Sequence, residues 1–143
     1  MKTLNEMKLT FPSRSANEAF SRSAVSAFVA QLDPRIDELS DIKTAVSEAV
    51  TNCIVHAYRD TGGTIELTAK LLEDNEVWIK IRDKGCGIEN VGKAMEPMFT
   101  TAPEEERAGL GFAVMESFMD KLSVRSRPGV GTTVIMRRKI EGR

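Results

Sequence analysis

Long hydrophobic runs and any excess of one charge are missing from this 143-residue sequence. The N-terminal stretch meets Asn5, Glu6 and Lys8 before an apolar run forms, so it predicts neither a signal peptide nor a membrane span. Lys and Arg number 20 against 21 Asp and Glu, and the formal net charge of -1 gives no overall field that would attract a polyanion. We therefore expect a cytoplasmic protein with no membrane and no direct nucleic-acid partner.

Cysteine and histidine are also scarce, with two of the first and one of the second. No C-x-x-C pair or neighbouring histidine completes a zinc-ligand set. Cys53 falls on the apolar face of a predicted helix and Cys86 lies between two glycines, so each is expected to be a reduced, space-filling thiol. A Ser-His-Asp triad would have to use His56, yet no serine sits in a nucleophile elbow. His56 is therefore expected to be structural or to line a pocket.

The 41% hydrophobic content and the length predict a single domain over residues 1–143. Period-2 alternation predicts strands, and a 3.6-residue apolar period predicts helices. The predicted fold is an α/β (α+β) two-layer sandwich, with a mainly antiparallel sheet and helices on one face. The strands are expected at 7–11, at 65–71 and 77–81 as a hairpin, at a segment ending near 126, and at 133–137.

Three helices are predicted from apolar spacing. Ser15 and Glu18 form a capping-box pattern before the first helix. Its expected apolar face contains Phe20, Ala24, Ala27 and Phe28. The central helix has the strongest stripe, formed by Ile42, Ala45, Val46, Ala49, Val50, Cys53 and Ala57. The third is expected to include Phe112, Met115, Phe118, Met119 and Leu122.

Glu48 and Asn52 lie four residues apart on the central helix and so share one side of it. An Asn amide oxygen is a hard neutral ligand suited to Mg²⁺, and a carboxylate one turn away can deprotonate an attacking hydroxyl. Such a pair is also common on solvated helix surfaces. The spacing alone leaves both interpretations open.

Asp83 ends an apolar strand and begins a D-x-G-x-G pattern with Gly85 and Gly87. The glycines allow a backbone to approach a flat ligand, and an ionised Asp accepts a hydrogen bond from an exocyclic amine such as that of adenine. An Asx-type turn that closes the strand is the structural alternative.

Gly109 and Gly111 precede the third helix, where unpaired N–H groups and the helix dipole favour a phosphate. A flexible hinge is the alternative. Arg107 could place its guanidinium on a terminal phosphate or stand as a surface charge beside three glutamates. Thr132, at the start of the last strand, has a supporting part or belongs to an ordinary turn.

The order of these motifs resembles that of the GHKL ATPase superfamily, with S-E-A-V-T-N on a helix, D-K-G-C-G-I after a strand and G-L-G before a helix. Within it, the segments F-V-A-Q-L-D-P, I-K-T-A-V-S-E-A-V-T-N, F-T-T and M-E-S-F-M-D-K-L resemble the bacterial anti-sigma serine kinases, over nearly the whole length. The resemblance implies a Bergerat ATP-binding fold that takes ATP or ADP with Mg²⁺.

The resemblance also implies residue roles. Asn52 matches the Mg²⁺ ligand, Glu48 the general base and Asp83 the adenine contact. Arg107 matches a lid arginine near the terminal phosphate, and Arg22 a protein-partner contact. The matched nucleotide-binding positions further include Gly85, Gly87, Thr100, Thr101, Gly109, Gly111 and Thr132. Ala108, Leu110 and Cys86 depart from the residues common at their positions, which bears on lid dynamics more than on nucleotide binding.

The function that the resemblance implies is that of a homodimer that holds a sigma factor inactive, with the sporulation factor sigma F favoured. It would also phosphorylate a serine of an anti-anti-sigma factor. The alternatives are an anti-sigma kinase of a stress response and an ATP-gated interaction module without phosphotransfer. A histidine-kinase catalytic domain would need a phosphoacceptor histidine on a dimerising hairpin, whereas His56 lies inside the predicted central helix that carries S-E-A-V-T-N.

Overall fold

The structure is a computed structural model that describes residues 2–58, 62–88, 91, 95 and 111–142. A five-stranded sheet has the order β1-β2-β3-β5-β4, and every neighbouring pair is antiparallel. This confirms the predicted sandwich with an antiparallel sheet. The strands are β1 (Thr3–Pro12), β2 (Thr64–Leu72), β3 (Glu76–Asp83), β4 (Lys121–Arg127) and β5 (Gly131–Lys139).

The helices pack on one face of that sheet, and the core lies between the two layers. The first, α1 (Ala16–Val29), ends in a 3-10 turn at Ala30–Leu32. The second, α2 (Ile36–Asn52), continues into a π-helical turn at Cys53–Ala57. The third is α3 (Gly111–Phe118). Among the described residues, no helix has the length and apolar content needed to cross a membrane.

The buried face of α1 differs from the prediction by one residue. Ser21, Val25 and Val29 are buried, whereas Phe20 is 54% exposed. Both stripes fit a 3.6-residue period, and packing against α2 selects the valines. The prediction of a capping box at Ser15 was also wrong. Ser15 has right-handed helical dihedral angles and its side chain makes no capping hydrogen bond, whereas a capping residue needs extended dihedral angles.

The stripe of α2 was predicted correctly, since Ile42, Ala45, Val46 and Val50 are fully buried. The α-helix itself stops at Asn52, so Ala57 belongs to the π-helical turn and not to a continuous α-helix. The third helix ends at Phe118, and Leu122 lies in β4. Sequence periodicity could not show that Leu122 belongs to a strand, because Leu at this position fits both a helix and a half-buried strand.

The hairpin of β2 and β3 was predicted correctly, with its turn at 73–75. Asp74 and Asn75 have φ of 66° and 57°, a left-handed conformation that these two residue types tolerate. Period-2 alternation in β3 places Val77, Ile79 and Ile81 in the core.

The C-terminal segment is attached to the start of α2 by Glu38, whose side chain is fully buried. Its carboxylate accepts hydrogen bonds from the N–H groups of Arg35 (2.9 Å), Glu141 (2.7 Å) and Gly142 (3.1 Å). Burial raises the pKa of Glu38, but these three donors and the nearby Arg35 guanidinium outweigh it, so the net pKa is lowered.

Candidate functional site

Four parts of the fold meet at one corner of the sandwich. The end of β3 pairs with the start of β5, so that Asp83 faces Thr132. The thiol of Cys53, in the π-helical turn, lies 3.5 Å from the Asp83 carboxylate. At the start of α3, a Cβ on Gly111 would lie 3.1 Å from the Asn52 amide. Residues that are distant in the sequence and were selected from separate motifs are thus brought together.

Asp83 is buried at this corner, with 5% of its surface exposed. Its Oδ1 accepts hydrogen bonds from the N–H groups of Gly85 (2.9 Å) and Thr132 (3.2 Å), and its Oδ2 accepts from the Cys53 thiol. Burial raises the pKa of Asp83, and these three donors offset only part of that rise. Because a thiol is a weak donor, Oδ2 keeps the capacity to accept a hydrogen bond from an amine.

Gly85 and Gly87 are required by contacts inside the protein. A Cβ at Gly85 would lie 2.4 Å from the Ala57 carbonyl oxygen, and one at Gly87 would lie 2.1 Å from that of Arg127. Gly87 also has φ of +76°, which favours glycine. The glycines therefore let the segment after β3 lie directly against the π-helical turn and the β4–β5 turn.

Backbone hydrogen bonds hold this segment on both sides. The Cys86 N–H donates to Ala57 O (3.0 Å), and the Gly129 N–H donates to Cys86 O (2.7 Å). The Cys86 side chain is exposed, and its thiol donates to His56 O at 3.4 Å. The sequence-based expectation of a space-filling Cys86 was therefore wrong, because its side chain lies at the surface. Cys53, in contrast, is a buried free thiol as predicted.

Ser126 was missed by the sequence interpretation although it organises this corner. Its hydroxyl oxygen accepts the Ile88 N–H (2.7 Å), and its hydroxyl donates to Gly131 O (3.0 Å). It also lies 2.8 Å from Thr132 Oγ1. Nothing in the sequence marks a serine near the end of an alternating strand, since its hydrogen bond to Ile88 joins residues 38 positions apart.

Tyr58 is a second residue that sequence reasoning missed. Its hydroxyl accepts the Lys84 N–H (2.6 Å) and donates to Thr64 O (2.8 Å), which joins the π-helical turn to β2 and to the end of β3. Its ring fills the space beside Gly63, where a Cβ would lie 2.3 Å from the ring. The sequence offered one hint of this role, which is that Tyr58 is the sole tyrosine of the chain.

Glu48 and Asn52 occupy the last turns of α2 on the same side as Gly111. Glu48 is buried at 6% exposure, and Asn52 is half-buried. Glu48 is thus not a solvated surface residue. Asn52 lies beside Gly111 at the start of α3, so it is not a fully solvated residue either.

Of the other residues selected from the sequence, four are not described, one lies on α1 and one lies in the π-helical turn. Thr100, Thr101, Arg107 and Gly109 lie outside the described residues. Arg22 lies on α1, where its Nε is 3.3 Å from Glu18 Oε2. His56 lies in the π-helical turn and is half-buried.

Residues 11–138 match the model of the histidine kinase-like ATPase domain. The chain belongs to this histidine kinase-like ATPase family. Its relatives in the family include an anti-sigma F factor of Caldanaerobacter subterraneus subsp. tengcongensis, which is 59% identical over 95% of this chain and 94% of the relative. An anti-sigma F factor of Clostridium acetobutylicum is 50% identical over 94% of each chain. The family resemblance seen in the motifs is therefore confirmed.

Solved structures show the same histidine kinase-like ATPase fold at lower identity. The RsbU and RsbW domains of a Mycobacterium tuberculosis protein superpose with a TM-score of 0.70 at 20% identity, over 95% of this chain and 32% of that one. Full-length ShkA in complex with AMPPNP gives a TM-score of 0.61 at 15% identity, over 94% and 32% of the two chains. At these identities the likeness concerns the fold alone.

Proposed function

We propose that this chain is an ATP-dependent anti-sigma factor and serine protein kinase. In this proposal it binds and inhibits a sporulation sigma factor, sigma F, and inactivates an anti-anti-sigma factor by phosphorylating one of its serines. The proximity of the Asn52 amide group to Gly111 carries the proposal, because it brings a side-chain amide to the N-terminus of α3. An amide oxygen can bind Mg²⁺ and a helix N-terminus can bind phosphate, so the two together suit a magnesium nucleotide.

The described residues fit an adenine nucleotide. Asp83 presents a buried carboxylate acceptor at the inner end of the corner, which suits the exocyclic amine of adenine. The first N–H groups of α3 lack helical partners and point out of the helix end, where they favour phosphate oxygens. Base and phosphates would thus be recognised by opposite ends of one site.

The metal requirement also fits this corner. Within the described residues, no group of three His, Cys, Asp or Glu side chains is arranged so that it could hold a metal ion. Mg²⁺ bound with a nucleotide takes most of its ligands from phosphate and water, so one amide oxygen from Asn52 suits it. When bound, Mg²⁺ would neutralise charge on the phosphate oxygens.

In the proposed phosphotransfer, the serine oxygen of the substrate protein forms a bond to the γ-phosphorus. The bond between that phosphorus and its bridging oxygen breaks, and ADP leaves with the electron pair. Glu48 takes the serine proton as general base. Arg107 would offset negative charge on the transferred group. Thr100, Thr101, Gly109 and Thr132 are proposed to complete the nucleotide site, and Arg22 to contact the protein partners.

The partners are inferred from the relatives. Those at 50–59% identity are named anti-sigma F factors and are matched over almost their whole length. We propose sigma F, an anti-anti-sigma substrate and a second copy of this chain as partners, in the cytoplasm.

A phosphotransfer assay with the purified anti-anti-sigma factor tests the activity. Glu48→Gln is expected to lower phosphoserine formation by at least about a hundredfold, since general-base catalysis contributes 10²–10⁴-fold. ATP binding should remain. Glu116→Gln, which changes an exposed carboxylate on α3, is the matched control. Unchanged transfer in Glu48→Gln would remove Glu48 from this role, and binding without transfer in the wild type would indicate an ATP-gated interaction module.

The sigma partner is tested by pull-down with purified sigma F and a stress-response sigma factor, each with ATP and with ADP. Retention of sigma F in ATP only is the expected result. Retention of the stress-response factor alone would reassign the partner.

A further inference from the structure

The sheet face opposite the helices has an uneven distribution of charge. On β1 and β2 its side chains balance, with Glu6 and Glu66 against Lys8 and Lys70. On β3, β5 and β4 they are mostly cationic. We call this second part the basic face, and its charged members are Lys80, Arg82, Lys121, Arg125, Arg127, Arg137, Lys139 and Glu76.

The basic face stands out against the rest of the chain. Seven cations and one anion give it six net positive charges, so the remaining residues carry a net charge of -7 if the whole chain carries -1. Arg137 is paired with Glu76. In the part of the chain that the structure describes, Lys80, Arg82 and Arg125 have no carboxylate within 4.0 Å.

Strand register arranges these cations in rows. Arg82, Thr133 and Arg125 lie side by side across three strands, and so do Lys80, Ile135 and Ser123. Neighbouring strands are about 4.8 Å apart, and same-face residues along a strand about 6.8 Å. Arg82 and Arg125 thus stand roughly 10 Å apart across the sheet. Like charges at this spacing repel each other, and an anionic partner that binds between them would offset this repulsion.

The middle of the basic face is apolar. Trp78 and Ile135 are half-buried and lie on adjacent strands, with Lys70 4.5 Å from the centre of the Trp78 ring. A tryptophan close to several arginines is typical of protein interfaces, where both residue types are enriched.

We propose that the basic face is a docking surface for an acidic protein segment in extended conformation, with an apolar side chain that packs on Trp78 and Ile135. Alternate residues of an extended segment repeat at about 6.8 Å, which matches the spacing of Arg125 and Arg127 along β4. The surface lies on the other side of the sheet from the nucleotide corner. It is therefore independent of the proposed phosphotransfer.

A polynucleotide fits this surface less well. It carries a charge at every few ångströms and continues beyond three strands, so it would extend over β1 and β2, where the charges of this sheet face balance and offer no net attraction. The one tryptophan is already covered on one side by Lys70 and offers a poor platform for base stacking. A short acidic segment avoids both difficulties.

The test uses the full chain and a synthetic peptide of about ten residues in which Glu alternates with Ser around one central Leu. Trp78 is the only tryptophan, so its fluorescence reports contact at the basic face directly. We expect the peptide to shift Trp78 emission at low ionic strength, and added salt to weaken its binding. A peptide with Gln in place of Glu should leave the emission unchanged.

Charge reversal locates the contact. Arg82→Glu with Arg125→Glu is expected to weaken peptide binding on the order of tenfold or more. Lys2→Glu with Lys8→Glu makes the same change of charge at exposed positions near β1 and should stay within about twofold. Thermal melts identify a variant that does not fold, in which case Lys139→Glu alone replaces the double variant.

Three results would overturn the proposal. The first is an unchanged Trp78 emission with peptide at low ionic strength. The second is an equal loss of affinity in the Lys2 and Lys8 control. The third is tighter binding by a single-stranded oligothymidylate of similar length, which would assign the basic face to nucleic acid.

Discussion

Thr132 donates its backbone N–H to the carboxylate of Asp83 across 3.2 Å, although the two residues lie 49 positions apart in the chain. The same oxygen accepts from Gly85, so the strand end and the turn after it share one acceptor. The other oxygen faces Cys53 in the π-helical turn. One buried carboxylate therefore aligns three elements around the proposed adenine position.

Asp83→Asn is expected to lower nucleotide affinity by at least about tenfold while the fold is kept. The Asn carbonyl can still accept from Gly85 and Thr132, but an NH₂ group replaces the oxygen that would accept from adenine. Calorimetric titration with ATP and magnesium measures the loss. Wild-type affinity in Asp83→Asn would exclude the carboxylate as the adenine contact.

The same substitution should change how stability depends on pH. Burial raises the pKa of Asp83 in the folded protein above the ordinary value of 3.8. Its contribution to folding stability is therefore present below the unfolded pKa and is lost as pH rises through the folded pKa. Thermal melts at a series of acidic pH values should show this decline in the wild type and its absence in Asp83→Asn.

Gly87→Ala should destabilise the protein more than Gly129→Ala. Both glycines have φ of +76°, so both substitutions carry the same backbone strain of about 1–2 kcal/mol. The new Cβ at position 87 would also collide with the carbonyl oxygen of Arg127, whereas a Cβ at Gly129 meets nothing within 4 Å. Overpacking should cost roughly 1–3 kcal/mol more. Denaturant melts of the two variants give the difference, and equal midpoints would contradict the close approach.

Ser126→Ala is expected to weaken nucleotide binding about fivefold to tenfold, because the Ile88 N–H loses its acceptor and the segment after β3 loosens. Ser123→Ala, on the exposed side of the same strand, is the matched control and should bind as the wild type does. Titration with a fluorescent ATP analogue compares them. Equal affinities would show that Ser126 does not position that segment.

Glu38→Gln should lower the free energy of unfolding by about 1–3 kcal/mol, since its NH₂ group cannot accept the N–H of Glu141. The pKa of Glu38 is lowered, so its contribution is present above the unfolded pKa and is lost as pH falls through the folded pKa. The difference in the free energy of unfolding between Glu38→Gln and the wild type should therefore become smaller at acidic pH. Glu141→Gln, with an exposed side chain, should melt as the wild type does.

Local patterns predicted the elements well wherever one apolar face decides the structure. The α2 stripe and the β2–β3 hairpin agree with the structure because burial of one face fixes helix phase and strand register. In α1 two stripes fit the same period, and only contact with α2 distinguishes Val25 from Phe20.

Individual residues of the corner were selected from the sequence, but their arrangement in space was not predicted. Asn52, Asp83 and Gly111 were selected from separate motifs, and their proximity comes from antiparallel pairing and helix packing. Ser126 and Tyr58 act through hydrogen bonds to distant backbone, for which a single sequence has no local signal. The π-helical turn likewise depends on what packs beside it.

The different environments of the two cysteines make the wild-type chain suitable for site-selective spectroscopy. Cys53 is enclosed, and burial next to Asp83 raises the pKa of its thiol well above 9.0, so little nucleophilic thiolate forms there. Cys86 is exposed. A trifluoromethyl thiol reagent would therefore attach a single fluorine label at Cys86, two residues from Lys84, and fluorine NMR could follow this corner without any engineered residue.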